Sequence, residues 1–329
     1  MTKKRLILIL LYPLFLVAAM PSRAQDAKPT EATAAYGVVR VSVCNLREEG
    51  RFTSGMSTQA LMGMPVEVLR YDGWYEVRTP DDYTGWAHRL TITPMTEAEY
   101  RAWNRAEKVV VTAIHGMVHS RPDERAPTVS DVVAGCRLRW EGNVGQFYRV
   151  GYPDGRKGYL ARTIAQREKQ WRASLRHDAR SILRTARSLT GIPYLWAGTS
   201  TKGMDCSGFV RTVLLMHDII IPRDTWQQAR VGKRLETGAN FENLLPGDLL
   251  FFGQPADGER KESISHVAFY LGDKRFIHAL GDVHVGSLDP ADKEYDAQNA
   301  GRLLFATRFL PYINKEKEVN TTDQNPYYQ

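Results

Sequence analysis

The sequence contains one pattern twice, at an offset of 73 residues and without a gap. Residues 74–81 align with residues 147–154, and after each copy comes a Gly-aromatic pair, Gly85-Trp86 or Gly158-Tyr159. Alternating valine and aromatic residues beside turn sequences such as Asp72-Gly73 are typical of short β-strands. Because two copies are too few for a solenoid, the pattern predicts two copies of one small all-β module.

We expect the two modules at residues 35–95 and 107–165. Their size, the Pro-Asp turn of each and the Gly-aromatic ending resemble bacterial SH3-like barrels, which often accompany cell-wall enzymes. The alternative is a pair of generic β modules that only stabilise the chain. Between the modules, residues 96–106 are predicted to form a short amphipathic helix that is anchored by Tyr100 and Trp103.

A further domain follows the modules, because 329 residues are too many for one ordinary core. Residues 166–189 lack glycine and proline and are rich in helix formers, which predicts one long helix. Helices come first and an antiparallel sheet follows, so we expect an α+β domain over residues 170–312. Residues 313–329 form a polar tail that we expect to be frayed.

The N-terminus has the pattern of a secretory signal peptide, which we place at residues 1–24. Three basic residues precede an apolar run over residues 6–20, and small residues stand at the cleavage-determining places. The run is too short for a convincing membrane anchor. Loss of the segment removes four basic residues and lowers the formal charge from +7 to +3. No basic cluster with interleaved aromatic residues then remains to indicate nucleic acid binding, and we expect a periplasmic protein.

The cysteines number three, at positions 44, 136 and 206, and their wide spacing matches no metal motif and no dense disulfide framework. Three cysteines cannot all pair, so at least one thiol is free, and a bridge between Cys44 and Cys136 stays open. A free thiol that is kept in an oxidising compartment indicates catalysis. We expect neither a metal nor an organic cofactor.

Cys206 stands at the start of a predicted helix that extends to about His217. Apolar residues recur after it at helical spacing, namely Phe209, Val210, Val213, Leu214 and Met216. In the first turn, the helix dipole and the free backbone N–H groups favour a thiolate and can donate to an oxyanion. The alternative is a small, buried hydrophobic residue.

Two histidines are candidates for the base that a cysteine nucleophile needs and for the group that orients the base. His266 opens the apolar strand at residues 266–271, which would leave its ring at the rim of the sheet. His278 lies on the next strand, residues 275–280, approximately opposite His266. A second imidazole can fix the tautomer of the first. The rival third member is His284, expected on the turn after that strand, and the alternative for each histidine is a satisfied structural role.

Six motifs between about residues 181 and 311 support this interpretation as a set. They are Gly191-Ile192-Pro193-Tyr194-Leu195-Trp196, Asp205-Cys206-Ser207-Gly208-Phe209, Pro222-Arg223-Asp224-Thr225, Pro246-Gly247-Asp248, Ser265-His266-Val267 and Phe276-Ile277-His278. In this order they resemble the NlpC-type cell-wall cysteine peptidases, the bacterial branch of the papain-like fold.

The resemblance implies a papain-like α+β catalytic domain behind two small all-β SH3-like barrels. It implies Cys206 as nucleophile, His266 as base and His278 as the orienting residue. Tyr194 would lie close to the oxyanion. We also expect the two neighbours of the nucleophile, Asp205 and Ser207, to bind substrate.

The order of domains resembles the γ-D-glutamyl-L-diamino acid endopeptidases, which cut between D-Glu and a diamino acid in cell-wall peptides. This resemblance implies peptidoglycan-derived peptides as substrates and Asp224 as the group that holds a free L-Ala amine. Tyr83 and Trp86 of the first barrel would line the cleft. Relatives often carry Glu where this chain has Gly55. The alternatives are an N-acetylmuramoyl-L-alanine amidase, an acyltransferase or a catalytically silent wall-binding protein.

Overall fold

The structure is a computed structural model that describes residues 33–238 and 240–329. The predicted signal peptide at residues 1–24 lies outside the described residues. Among the helices of the described part, none is long and apolar enough to cross a membrane.

The first barrel is a seven-stranded antiparallel sheet. Its strands are β1 Tyr36–Val39, β2 Val43–Arg47, β3 Met56–Leu61, β4 Pro65–Tyr71, β5 Trp74–Arg78, β6 Thr84–His88 and β7 Ile92–Met95. They lie in the order β3-β2-β6-β5-β4-β1-β7. Side chains alternate between the core and the outside, as a strand requires, so that Tyr75 and Val77 of β5 are buried between more exposed neighbours.

The second barrel repeats this arrangement. Its strands are β8 Lys108–Val111, β9 His115–His119, β10 Thr128–Val133, β11 Arg137–Val144, β12 Phe147–Gly151, β13 Lys157–Ala161 and β14 Ala165–Arg167. Their order, β10-β9-β13-β12-β11-β8-β14, is that of the first barrel with each strand replaced by its counterpart. The offset seen in the sequence therefore reflects two copies of one fold, and the predicted all-β class of this region is confirmed.

Helix α1, Glu97–Arg105, joins the barrels, and the prediction for this segment is confirmed. Thr96 and Glu99 form a capping box at its start. Tyr100 and Trp103 are buried, and the indole N–H of Trp103 donates to the carbonyl of Gly63 over 3.2 Å. The helix therefore packs against the first barrel through the two residues that the sequence indicated.

The prediction of one long helix over residues 166–189 is wrong. The structure has two helices there, α2 Glu168–Ser174 and α3 Ala179–Ser188. Asp178 starts the second helix because its side chain accepts a hydrogen bond from the backbone N–H of Ser181 over 2.8 Å. The break lets α2 pack on the second barrel, while α3 packs on the helix of the catalytic domain that begins at Cys206.

The α+β domain places one buried helix against a six-stranded sheet. Its remaining elements are β15 Thr199–Ser200, β16 Gly203–Met204, α4 Cys206–Leu215, β17 Ile219–Ile220, α5 Thr225–Gln228, β18 Lys233–Leu235, β19 Leu249–Gln254, β20 Ser263–Gly272, β21 Arg275–Leu280, β22 Asp282–Ser287, α6 Ala297–Ala300, β23 Leu303–Arg308 and β24 Asn320–Thr321. The sheet order is β18-β23-β19-β20-β21-β22. All ten residues of α4 are buried, and the α+β papain-like class is confirmed.

The expectation of a frayed tail at residues 313–329 is wrong. Strand β24 pairs with β17. The hydroxyl of Tyr100 on α1 donates to the carbonyl of Tyr327 over 2.9 Å, and Thr322 donates to the buried carboxylate of Asp218 over 2.6 Å. Polar composition misled the prediction, because these polar groups bond to other parts of the protein rather than to solvent.

The bridge between Cys44 and Cys136 that the sequence left open is not formed, and both thiols are free and buried. Cys44 donates to the hydroxyl of Thr91 over 3.0 Å, and Cys136 lies in the core of the other barrel. Burial raises the pKa of Cys44 to about 11 and that of Cys136 to about 12. Both thiols are therefore protonated core residues at neutral pH.

We predict that the C-terminal segment, residues 313–329, stabilises the fold through Asn325, which is 3% exposed. Its amide donates to the carbonyl of Pro80 in the first barrel over 2.9 Å and to Asn320 over 3.0 Å. Asn325→Ala leaves the buried carbonyl of Pro80 without this donor, so the free energy of unfolding in urea should fall by about 1–3 kcal/mol. The exposed Asn143→Ala is the control and should change it by less than about 0.5 kcal/mol. Equal stabilities would contradict the inferred role of the tail.

Candidate active site

Asp205 organises the start of helix α4 as its N-cap. One carboxylate oxygen accepts from the backbone N–H of Gly208 over 2.7 Å, and the other accepts from that of Ala197 over 2.9 Å. Both oxygens also accept hydrogen bonds from the guanidinium of Arg223, the shorter of them over 2.6 Å. The carboxylate thus holds the first turn of α4, and with it Cys206, against the preceding loop.

Arg223 connects this cap to the first barrel. Its side chain is buried, donates to the hydroxyl of Ser207 over 2.8 Å and reaches Thr58 of β3 over 3.1 Å. Beside it, the backbone N–H of Thr199 donates to the side chain of Gln59 over 2.9 Å. The structure therefore places Ser207 in a buried polar network, together with Asp205, and contact of either residue with substrate stays a prediction.

The loop before the nucleophile packs tightly on α4. A β-carbon on Gly208 would lie 1.9 Å from the carbonyl oxygen of Gly198, so only glycine permits this approach. Ala197 has a φ of 61°, in the left-handed region that disfavours residues with a β-carbon. Tyr194 is half-buried, and its pKa is raised to about 12 by burial and by its proximity to Cys206. Its hydroxyl therefore stays protonated near the sulfur, as the predicted oxyanion role requires.

The thiol of Cys206 is 7% exposed and lies between α4, α5 and β20. Its Sγ atom contacts the hydroxyl of Thr225 at 3.7 Å. Burial is the largest influence and raises the pKa of the thiol above its ordinary value, and the nearby carboxylate of Asp205 adds to the rise. Hydrogen bonds from Thr225 and from the backbone N–H groups of Ser207 and Val267 lower it in part. Burial therefore opposes the helix terminus, which the sequence predicts to favour the thiolate.

His266 directly precedes Val267 on β20, and the backbone N–H of Val267 donates to the sulfur of Cys206. The expectation that His266 opens the strand is wrong: β20 begins three residues earlier, at Ser263, and the ring is buried beside Phe252 of β19. Burial lowers the pKa of His266 well below its ordinary value, and the adjacent His278 adds to this effect. The ring is therefore neutral and able to accept a proton.

His278 contacts His266, as the sequence predicted. The Nε2 atom of His266 lies 2.8 Å from Nδ1 of His278, whose side chain is fully buried. Burial lowers the pKa of His278 to about 4. The expectation that His284 lies on a turn is wrong, since it belongs to β22 and pairs with His278 across the strands. Its Nε2 atom lies 3.0 Å from Nε2 of His278, so the structure brings all three rings together.

The first barrel reaches the site through Tyr83. Its hydroxyl donates to the carboxylate of Asp224, with distances of 3.3 and 3.4 Å to the two oxygens. Asp224 is the N-cap of α5 and directly precedes Thr225, which touches the sulfur. Trp86 lies under the guanidinium of Arg70, 4.7 Å from the ring centroid, and its contact with substrate stays a prediction.

Sequence reasoning did not assign Arg223, Thr225 or Thr58 to the site. Arg223 and Thr225 belong to the motif Pro222-Arg223-Asp224-Thr225, which the sequence analysis quoted. The motif alone did not show that their side chains contact Asp205 and Cys206. Thr58 had no signal, because its role depends on where the first barrel docks. In residues 33–238 and 240–329, no group of three or more His, Cys, Asp and Glu side chains is arranged to hold a metal ion.

Comparison with known proteins identifies the family. The NlpC/P60 family pattern matches residues 191–301, and the pattern of the bacterial dipeptidyl-peptidase Sh3 domain matches residues 46–89. A γ-D-glutamyl-L-lysine dipeptidyl-peptidase of Bacillus cereus is 32% identical over 233 residues, which are 68% of this chain and 67% of the relative. The chain belongs to the NlpC/P60 family.

Further similarities extend over most of this NlpC/P60 protein. A dipeptidyl-peptidase 6 of Lysinibacillus sphaericus is 28% identical over 77% of this chain and 91% of the relative. The crystal structure of an NlpC/P60 family protein from Bacillus cereus has a TM-score of 0.70 and 26% identity, and it covers 84% of this chain and 100% of that one. The protein is accordingly a cysteine peptidase of a family of peptidoglycan peptidases, with an SH3-like region ahead of its catalytic domain.

The left-handed backbone at Ala197 predicts that glycine is preferred there. Ala197→Gly should raise the free energy of unfolding by about 1 kcal/mol, because it removes the steric conflict of the β-carbon. Ala102→Gly is the matched control on the exposed face of helix α1 and should lower it by about 1 kcal/mol. Chemical denaturation measures both. Equal losses in the two variants would contradict the strained conformation at Ala197.

Proposed function

We propose that the protein is an exported, periplasmic cysteine endopeptidase that hydrolyses the bond between γ-D-Glu and the diamino acid of muropeptides with a free N-terminal L-Ala. Cys206 is the nucleophile, His266 the base and His278 the residue that orients the base. Asp224 binds the free amine, with Tyr83 beside it.

The observation that carries this proposal is the contact between Tyr83 and Asp224, one residue from the group that touches the sulfur. A carboxylate at this position suits a cationic group that lies a short peptide away from the attacked carbonyl. Burial is the largest cause that raises the pKa of Tyr83, to about 12, so the phenol stays protonated and donates. The distances from the Tyr83 hydroxyl to the two carboxylate oxygens of Asp224 are long for a hydrogen bond to a charged group. The carboxylate can therefore also accept from an ammonium group.

The neighbouring charges favour the same role. Arg223 precedes Asp224, but its guanidinium is directed at Asp205 in a buried ion pair of 2.6 Å. The carboxylate of Asp224 is therefore left for another cation. A substrate whose L-Ala amine is joined to a sugar brings an uncharged amide instead, so the site rejects it by leaving the carboxylate without a cationic partner.

A carboxylate of the first barrel lies beside Gly55. A β-carbon on Gly55 would lie 2.8 Å from Oε2 of Glu48, so the Glu48 side chain fills the space beside position 55. Gly55 directly precedes β3, the strand that carries Thr58 to Arg223. The names of the relatives, a γ-D-glutamyl-L-lysine dipeptidyl-peptidase and a dipeptidyl-peptidase, agree with release of a dipeptide that begins at a free amine.

The chemistry follows from the positions of the groups. The Cys206 thiol gives its proton to His266 as the sulfur attacks the γ-carbonyl carbon of D-Glu. In this mechanism, backbone N–H groups at the start of α4 and the hydroxyl of Tyr194 stabilise the oxyanion. His266 then protonates the amine of the departing diamino acid, and water attacks the thioester to release L-Ala-D-Glu.

The experiment compares three proteins on two substrates, the tripeptide L-Ala-γ-D-Glu-diaminopimelate and its N-acetylated form, with products identified by mass. The wild-type protein should release the free diamino acid from the first substrate and act poorly on the second. Asp224→Asn should lower kcat/KM for the free-amine tripeptide by about 10- to 100-fold, the equivalent of one charge-assisted hydrogen bond. Asp82→Asn, at an exposed carboxylate in the same loop as Tyr83, is the control and should have no effect.

Other results would overturn the proposal. Equal rates on the two tripeptides, or an unchanged rate in Asp224→Asn, would contradict the assigned amine site. Cleavage only next to the sugar of intact peptidoglycan would indicate an amidase. Transfer of the acyl group to an added amine in place of water would indicate an acyltransferase, and binding without any cleavage would indicate a wall-binding protein.

A further inference from the structure

Four side chains form one continuous line that leads away from the nucleophile. From His266 the line passes to His278 over 2.8 Å, and from His278 to His284 over 3.0 Å. It ends at Asp282, whose Oδ1 atom lies 2.9 Å from Nδ1 of His284. The two histidines nearest the nucleophile are buried, whereas His284 and Asp282 reach the surface of β22.

The outer end of the line fixes where its protons lie. Nδ1 of His284 faces two acceptors that cannot donate, the carboxylate of Asp282 and, over 3.1 Å, the backbone carbonyl of the same residue. Nδ1 of His284 therefore carries the proton. A neutral imidazole has only one N–H, so Nε2 of His284 is left as an acceptor.

The assignment passes inward by the same rule. Nε2 of His284 faces Nε2 of His278, which must then carry the proton and donate. Nδ1 of His278 is accordingly an acceptor, and it faces Nε2 of His266, which must donate in turn. The result is that Nδ1 of His266 is free of a proton, which is the state that a general base requires.

We propose that His284 and Asp282 are positioning residues of the peptidase, which set the tautomers of His278 and His266 so that Nδ1 of His266 can accept the proton of Cys206. This inference rests on the proposed function of His266 as base. It adds His284 and Asp282 to the predicted pair of histidines, and the sequence analysis did not connect all four side chains by hydrogen bonds.

The surroundings of His278 offer its ring few other hydrogen-bond partners. His278 is fully buried, so solvent does not compete for its Nε2 atom. Its ring lies edge-on to Phe276, with centroids 4.9 Å apart, and an aromatic ring offers no strong acceptor. His278 and His284 are directly opposed in the antiparallel register of β21 and β22, which holds the two rings at a centroid distance of 4.5 Å.

The test uses two substitutions that differ in what they offer to His278. His284→Phe keeps the ring shape and removes the acceptor, so it should lower kcat by about tenfold with little change in KM, because a fraction of His266 adopts the unproductive tautomer. His284→Gln restores an acceptor oxygen and should recover most of that loss. His115→Gln, at an exposed histidine of the second barrel, is the control for loss of a surface imidazole and should match the wild type.

Two readouts need no peptide substrate, and they separate this inference from the identity of the substrate. Nitrogen-15 NMR of histidine-labelled protein should show His266 protonated at Nε2 in the wild type and a mixture of tautomers in His284→Phe. The rate of Cys206 alkylation by iodoacetamide at pH 7 should fall in His284→Phe and recover in His284→Gln.

A proton on Nδ1 of His266 in the wild-type protein would overturn the inference. So would identical tautomers and alkylation rates in the wild type and His284→Phe. If alkylation and tautomers respond as expected but no muropeptide is cleaved, the positioning role stands and the proposed substrate fails.

Discussion

The buried ion pair between Asp205 and Arg223 is the interaction on which the site depends. Its carboxylate caps helix α4 and holds the loop before the nucleophile, while its guanidinium reaches the first barrel. Such a pair is costly to bury, and removing one partner of a buried pair typically costs about 3–5 kcal/mol. The same interaction therefore positions the thiol of Cys206 and connects helix α4 to the first barrel.

The first barrel consequently contributes side chains to the candidate site. It supplies Tyr83 to Asp224, and Arg211 on the nucleophile helix donates to Asp81 over 2.8 Å. The C-terminal segment strengthens the same arrangement from the other side, where Asn325 bonds to the carbonyl of Pro80.

The sequence predicted much of this because its signals are local. The repeat predicted both barrels, the spacing of apolar residues predicted α4, and two histidines on adjacent strands predicted the contact of their rings. The protonation of Cys206 depends on more than such local signals, since a helix terminus is visible in the sequence but the burial that raises the pKa of the thiol is not.

Other features depend on contacts between distant segments. The tail from residue 313 looked frayed because its polar residues have their partners far away in the sequence. His284 was weighed as a rival to His278, whereas the register of β21 and β22 joins the two in one line. The break at Asp178 carried a local N-cap signal, which the helix-forming composition around it concealed.

We assign the hydrolysis to the thiol of Cys206. The most direct measurement is the rate at which Cys206→Ala, shown by chemical denaturation to be folded, releases the diamino acid from the free-amine tripeptide. We expect a loss of about 10⁴-fold or more, since removal of a nucleophile leaves only binding and oxyanion stabilisation. Hydrolysis by this variant at the wild-type rate would contradict it.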